Sequence, residues 1–159
     1  MWVVEVFLIR HAEAVDETID RRDPHRPLTP AGRDQAKSLG DRLRWHDCEP
    51  THVWTSPLVR AVQTAELVTA GLQQPIVVDV LPALAPGESV RAVVAAVQAL
   101  PPSSKVVLVG HEPGLSAVGA LLVGQPEFAS LGKAQAARID DGALRWRFAC
   151  DAEAPEIAG

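Results

Sequence analysis

VVEVFLIRHAEA, residues 3–14, decides how this chain folds. Its first seven residues are β-branched and almost unbroken in apolar character, the pattern of a strand covered on both faces rather than one half-exposed to water. Such strands belong to parallel sheets with helices on either side. The run stops at Arg10 and His11, two side chains that would repel each other if both were charged. A shared anion in front of them would remove that conflict.

Outward from this stretch the chain alternates between strand and helix patterns. LTPAGRDQAKSLGDRLRW (28–45) places Thr29 as N-cap, Pro30 at the first helical position and Ala36, Leu39 and Leu43 at helical spacing. THVWTSPLVRAVQTAELVTAGL (51–72) repeats the plan with a strand near 52–55, Ser56 as N-cap, Pro57 at the first helical position and Gly71 as the stop. PIVVDVL (75–81) reads as a third strand, ESVRAVVAAVQAL as a helix closed by Pro101, and KVVLV (105–109) as a fourth strand opening through GHEPG into the helix LSAVGALLVG. KAQAARIDDGALRWRFAC reads as two strands joined at Asp141-Gly142, and DAEAPEIAG (151–159) as a frayed acidic tail. Repeated βα units predict a three-layer α/β/α sandwich around a mainly parallel sheet, with an antiparallel edge from the terminal hairpin. The expected organisation is one domain over 1–150 and a flexible tail over 151–159.

Composition narrows the function. The 159 residues suffice for one core, and 47% apolar content with mixed charges fits a soluble globular protein. Fifteen basic against twenty acidic residues give a net charge of -5, which leaves no basic face for tracking a nucleic acid. Cys48 and Cys150 stand far apart and outside metal-ligand or CxxC spacing, as free thiols in a reducing compartment would. MWVVEVFLIR has no basic leader, carries Glu5 within its apolar run and is too short to span a bilayer, so a cytoplasmic location without membrane partners is expected.

Open α/β sheets bind ligands beyond the carboxyl ends of their strands, so residues just after each strand should converge. Arg10 and His11 follow the first strand, Ser56 and then Arg60 the second, Glu88 the third, and Gly110 and His111 the fourth. Taken singly, each has a plain explanation as a polar strand end or a cap. Arg60 is the exception, because the helix dipole disfavours a cation in the first turn and an anion nearby would offset this. Placement after three separate strands points to an anion site. His25 lies in a charged loop from which it could reach the ligand, while His46 and His52 read as surface residues.

The stretches LIRHAEA, RPLTPAGRDQA, VWTSPLVRAVQTAE, VLPAL and VVLVGHEPGLS occur in that order from about residue 3 to residue 120. In them the sequence resembles the histidine phosphatase superfamily, which shares its fold with phosphoglycerate mutases, and most closely the small phosphohistidine phosphatases of the SixA type. The resemblance implies that His11 is the nucleophile, that Arg10 and Arg60 bind phosphate, and that His111 is the second histidine of the pocket. It departs at Ala12, where the family has glycine, and at Ala83, where many relatives carry a glutamate. The proton donor is therefore open among Glu88, by its place beyond the third strand, and Glu13, Asp16, Glu17 and Glu112.

A histidine attacks phosphorus only as neutral imidazole, which neighbouring arginines favour, and guanidinium forks bind phosphoryl oxygens in pairs. Ser56 adds either a cap or a further hydroxyl to the phosphate. With protein cations in place, no metal or other cofactor is called for. The expected function is hydrolysis through a phosphohistidine on His11. Protein phosphohistidine leads as substrate, because short connections leave no lid to retain a small intermediate and the loop DETIDRRDPHRPL (16–28) can meet a partner. A sugar-phosphate phosphatase or phosphomutase and a non-catalytic phospholigand binder are the alternatives.

Overall fold

The computed structural model describes residues 4–158. Val3, at the head of the predicted first strand, and Gly159, at the end of the tail, lie outside the described residues. Strand β1 (Glu5–Arg10) leads through a 3-10 turn at Asp23–His25 to helix α1 (Pro30–Leu43), then β2 (His52–Thr55), α2 (Val59–Leu72) and β3 (Val78–Val80). A second 3-10 turn at Pro82–Leu84 precedes α3 (Val90–Gln98), followed by β4 (Lys105–Gly110), α4 (Gly114–Val123), β5 (Gln135–Asp140), β6 (Ala143–Ala149) and β7 (Glu156–Ile157). The sheet order is β3-β2-β4-β1-β5-β6-β7. The first four strands in that order run parallel, and β5, β6 and β7 continue antiparallel beyond β1.

Alternation along β1 and β4 builds the three layers. Phe7, Ile9, Val107 and Val109 point to one face, where they meet Leu39 and Leu43 of α1 and Ala61, Ala65 and Val68 of α2. Val6, Leu8, Val106 and Leu108 point to the other, against Val93 and Val97 of α3 and Leu115, Val118 and Leu122 of α4. Each side chain of this kind contributes about 1.5–3 kcal/mol on burial, which is why the two central strands are apolar at every interior position.

The helix ends follow local chemistry. Thr29 caps α1, its hydroxyl accepting from the Gly32 N–H at 3.0 Å, and Ser89 caps α3 through Ala92 N–H. Gly32 and Gly40 are demanded by close approach: a Cβ at Gly32 would lie 1.9 Å from the Glu13 carbonyl oxygen, and one at Gly40 would lie 2.3 Å from that of Val68. The first contact seats α1 against the segment leaving β1, and the second lets α1 cross tightly over α2. At Asp141 and Gly142 both φ angles are positive, 52° and 70°, as a two-residue hairpin of the expected kind requires.

Several boundaries differ from the sequence reading. The second helix begins at Val59 with Leu58 as its N-cap, so Ser56 is not a cap. Its C-cap is Gln73 in the left-handed region rather than Gly71. The third strand is confined to Val78–Val80. The acidic tail, expected to fray, instead returns to the sheet: Glu156 and Ile157 pair with Arg147 and Trp146 of β6. Both cysteines are free, and burial pushes the Cys48 thiol up to about 12. Among the described residues no helix is long and apolar enough to cross a membrane.

Candidate functional site

Strand register brings the two histidines together. Arg10 of β1 lies level with Gly110 of the adjacent parallel β4, so His11 and His111 are the first residues beyond two neighbouring strand ends. The His11 N–H donates to the Gly110 carbonyl at 3.1 Å, and the ring centroids are 5.1 Å apart. Ser56 leaves β2 one strand further on, its N–H donating to Val109. Ala12, where glycine is usual, needs no left-handed backbone, and its methyl group is wholly buried among the α1 and α2 side chains. Its N–H is held by the Thr64 hydroxyl, which itself donates to the Arg60 carbonyl one turn back along α2.

His11 is oriented from both sides. Its Nδ1 lies 2.7 Å from the Ala12 carbonyl oxygen, which can only accept, so the proton sits on Nδ1 and the lone pair on Nε2. Arg60 Nε–H donates to that lone pair at 3.3 Å. Burial holds the imidazole down from the ordinary 6.5 to about 4; Arg60 and Arg10 push the same way, while the Ala12 carbonyl opposes them. The sequence reading credited the arginines with keeping this ring neutral, yet burial is the larger cause. His111 is held down to about 3, first by burial and then by His11 and Arg60.

Arg60 is 5% exposed and is aimed by Asp23, whose carbonyl accepts from Nη1 at 2.9 Å and whose carboxylate takes Nη2 at 3.4 Å. Arg26 grips the same carboxylate and holds it below its ordinary range. Arg10 donates through Nη1 to the Leu131 carbonyl at 3.1 Å, while its buried Nε has no partner among the described residues. His111 Nδ1 is likewise buried and has no partner among the described residues, while its Nε2 is engaged with the Ser56 hydroxyl at 2.8 Å.

A cavity of about 330 Å³ is lined by Arg10, His11, Arg60 and His111 together with Asp23, Arg26 and Lys133. Two expected members are absent from its lining. Ser56 is fully buried behind His111 and fixes that ring instead of facing the cavity. Glu88 is exposed and lines an adjoining cleft of about 300 Å³, floored by Leu84, Val93, Leu115 and Val118, which meets the cavity at His111, Glu112 and Pro86. Asp16 and Glu112 do line the cavity, but Glu112 accepts from two backbone N–H groups. Glu13 is taken by the Thr29 hydroxyl, and Glu17 is half exposed 4.0 Å from Arg22. His25 ends a 3-10 turn and does not reach the lining. Asp23, Arg26 and Lys133 were not expected there; the first two lie in the loop DETIDRRDPHRPL (16–28), and Arg26 also opens the motif RPLTPAG, the signals that could have flagged them.

Among the described residues no group of three or more His, Cys, Asp or Glu side chains could hold a metal ion. What the cavity offers is a set of N–H donors converging on a neutral imidazole lone pair, a geometry suited to a tetrahedral oxyanion. Comparison with known proteins agrees. The phosphohistidine phosphatase SixA of Escherichia coli is 35% identical over 112 residues, 69% of this chain and 68% of that one. An uncharacterized protein of Picosynechococcus sp. is 37% identical over 114 residues, 70% of this chain and 68% of its own. The structure of the protein histidine phosphatase SixA complexed with tungstate superposes with a TM-score of 0.83 at 29% identity, covering 92% of this chain and 97% of that one. The model of the histidine phosphatase superfamily (branch 1) matches residues 6–85, a span holding Arg10, His11 and Arg60. By fold, by strand-end geometry and by sequence, the chain belongs to the histidine phosphatase superfamily.

Proposed function

We propose that the protein hydrolyses phosphoryl groups through a phosphohistidine formed on His11 Nε2, and that its substrate is phosphohistidine presented by another protein. The observation that carries this reading is the His11 ring itself, its proton fixed on Nδ1 by the Ala12 carbonyl and its lone pair turned toward Arg60. A phosphoryl oxygen takes over Arg60 Nε–H, and the freed lone pair then faces phosphorus. Arg10 Nε and His111 Nδ1, both buried without partners among the described residues, supply donors to the remaining oxygens. The Nε2–P bond forms as the bond to the leaving group breaks, and the leaving atom departs with its electron pair and takes up a proton. Water then attacks phosphorus, the Nε2–P pair returns to the ring, and inorganic phosphate leaves with the surplus proton lost to solvent.

Two features favour a phosphoramidate over an alkyl phosphate. Of the three carboxylates lining the cavity, Glu112 is engaged by backbone N–H groups and Asp23 by arginines; Asp16 alone has no such tie among the described residues. A site poor in free acids suits a leaving imidazole, which needs less protonation than an alkoxide. The adjoining cleft is apolar and lined by no lysine or arginine, so the carboxylate of a phosphoglycerate would find no partner there.

Specificity constants decide the matter. A phosphohistidine peptide is expected to exceed 3-phosphoglycerate and sugar phosphates by about tenfold or more in kcat/KM, with no mutase product. A tenfold preference for a small phosphorylated metabolite would replace this substrate with the sugar-phosphate reading and leave the assignment of His11 untouched.

A further inference from the structure

The two arginines of the cavity are oriented by different means. Arg60 is held directly by the Asp23 carboxylate. Arg10 has no acidic partner among the described residues, and its one side-chain hydrogen bond runs to the Leu131 carbonyl. That carbonyl belongs to the segment between α4 and β5, which reaches the cavity edge because antiparallel β5 starts where β1 ends. What fixes Leu131 therefore fixes the guanidinium.

Glu112 is placed to do so. One carboxylate oxygen accepts from the Leu131 N–H at 2.5 Å, and the other accepts from Ser116 N–H at 2.8 Å in the first turn of α4. The backbone of Leu131 is thus gripped at its N–H by Glu112 while its C=O grips Arg10 Nη1, and its side chain is sunk in the α3–α4 core at 1% exposure. Ala134 N–H closes the segment onto the Arg10 and His11 carbonyls at 3.1 and 3.3 Å. We infer that Glu112 is a positioning residue for Arg10, acting through the Leu131 backbone, and not the proton donor of the reaction. It rests on the cavity being a phosphoryl site. Both carboxylate oxygens already accept N–H donors, so neither is free to deliver a proton to a leaving group. A long guanidinium chain held in advance loses less rotamer freedom when the oxyanion arrives.

The test is a double-mutant cycle between Glu112 and Arg10, read with tungstate as probe and with paired aryl and alkyl phosphates. Glu112→Gln keeps the volume but turns an NH2 toward one of the two backbone donors. Tungstate affinity by calorimetry and kcat/KM are each expected to fall about tenfold, the scale of one hydrogen bond to a charged group. The loss should be equal for aryl and alkyl substrates and should vanish in the Arg10→Ala background. A loss confined to the alkyl substrate with tungstate binding intact would make Glu112 the acid and overturn the inference. So would an undiminished loss in the Arg10→Ala background, or a lowered thermal midpoint with unchanged tungstate affinity, which is the mark of a mere helix cap. Should Glu112→Gln fail to fold, Glu112→Asp, whose shorter reach gives up one N–H, carries the same comparisons. The calorimetric arm needs no turnover: wild-type protein that binds tungstate without hydrolysing any substrate would refute the proposed function while the cycle still decides the role of Glu112.

Discussion

At the scale of single residues, chemistry is set by which nitrogen of His11 keeps its proton. The Ala12 carbonyl makes that choice, and Arg60 donates to the lone pair on the other nitrogen; in the proposed cycle an oxyanion takes the arginine over. His11→Ala is expected to abolish turnover with circular dichroism unchanged; wild-type protein quenched with a labelled donor should carry an acid-labile, alkali-stable phosphoryl group that the variant lacks. Arg60→Ala should reduce kcat/KM by about two orders of magnitude, the scale of losing one donor to developing charge. Lysine should not restore it, because one ammonium cannot face His11 Nε2 and hold both Asp23 oxygens as the fork does. That Arg10, His11, Arg60 and His111 meet at one cavity could be read in the sequence because strand ends converge in any open α/β sheet. Lys133 could not, since it arrives on the chain leading into an antiparallel strand. Ser56 was misjudged as the N-cap because Pro57 after a serine imitates a helix start, whereas the helix begins at Val59 and the hydroxyl, which accepts from the Leu58 N–H, also engages His111.

At the scale of elements, the site is a product of register. Pairing Arg10 with Gly110 sets the histidines side by side, and a slip of one residue along either strand would turn the wrong faces to both helix layers. The sequence showed these strands clearly because every interior position is apolar; it showed helix ends less well, since capping patterns recur outside helices. The α1–α2 crossing, where Gly40 meets the Val68 carbonyl at a distance no Cβ tolerates, was not legible at all. A lone glycine inside a helix pattern reads only as a weak spot. Gly40→Ala should therefore destabilise despite the gain in helix propensity, by about 1–3 kcal/mol, the usual cost of forcing an extra carbon into a packed interface. Urea denaturation measures it, and a neutral or stabilising result would show that the helices can part freely. Because α2 also carries Arg60 and α1 starts beside Glu13, a residual loss of activity in the folded variant is expected as well.

At the scale of the whole molecule, burying two imidazoles in the cavity, with guanidinium groups beside them, imposes a pH dependence on folding. The chain's alternating βα pattern announced the sandwich, but not that two imidazoles would be buried at its edge beside guanidinium groups, since burial depends on how the connections close over the strand ends. His11 and His111 titrate at about 4 and about 3 in the fold, against 6.5 for an ordinary histidine. Below pH 6.5 the unfolded chain takes up protons that the folded chain refuses, so unfolding is promoted as pH falls. Stability is therefore lost progressively from about pH 6.5 down through the folded values of the two rings. Asp23 acts in a separate window: its carboxyl is held below 3.8 by Arg26, so its contribution is complete above 3.8 and disappears only under stronger acid. The thermal midpoint should accordingly decline between pH 7 and pH 4, before Asp23 is protonated. Replacing both rings, His11→Asn with His111→Asn, should flatten that part of the curve and leave the steeper fall below it. If the double variant kept the full slope between pH 7 and 4, protons would be entering elsewhere, and the neutrality assigned to His11 as nucleophile would lose its thermodynamic support.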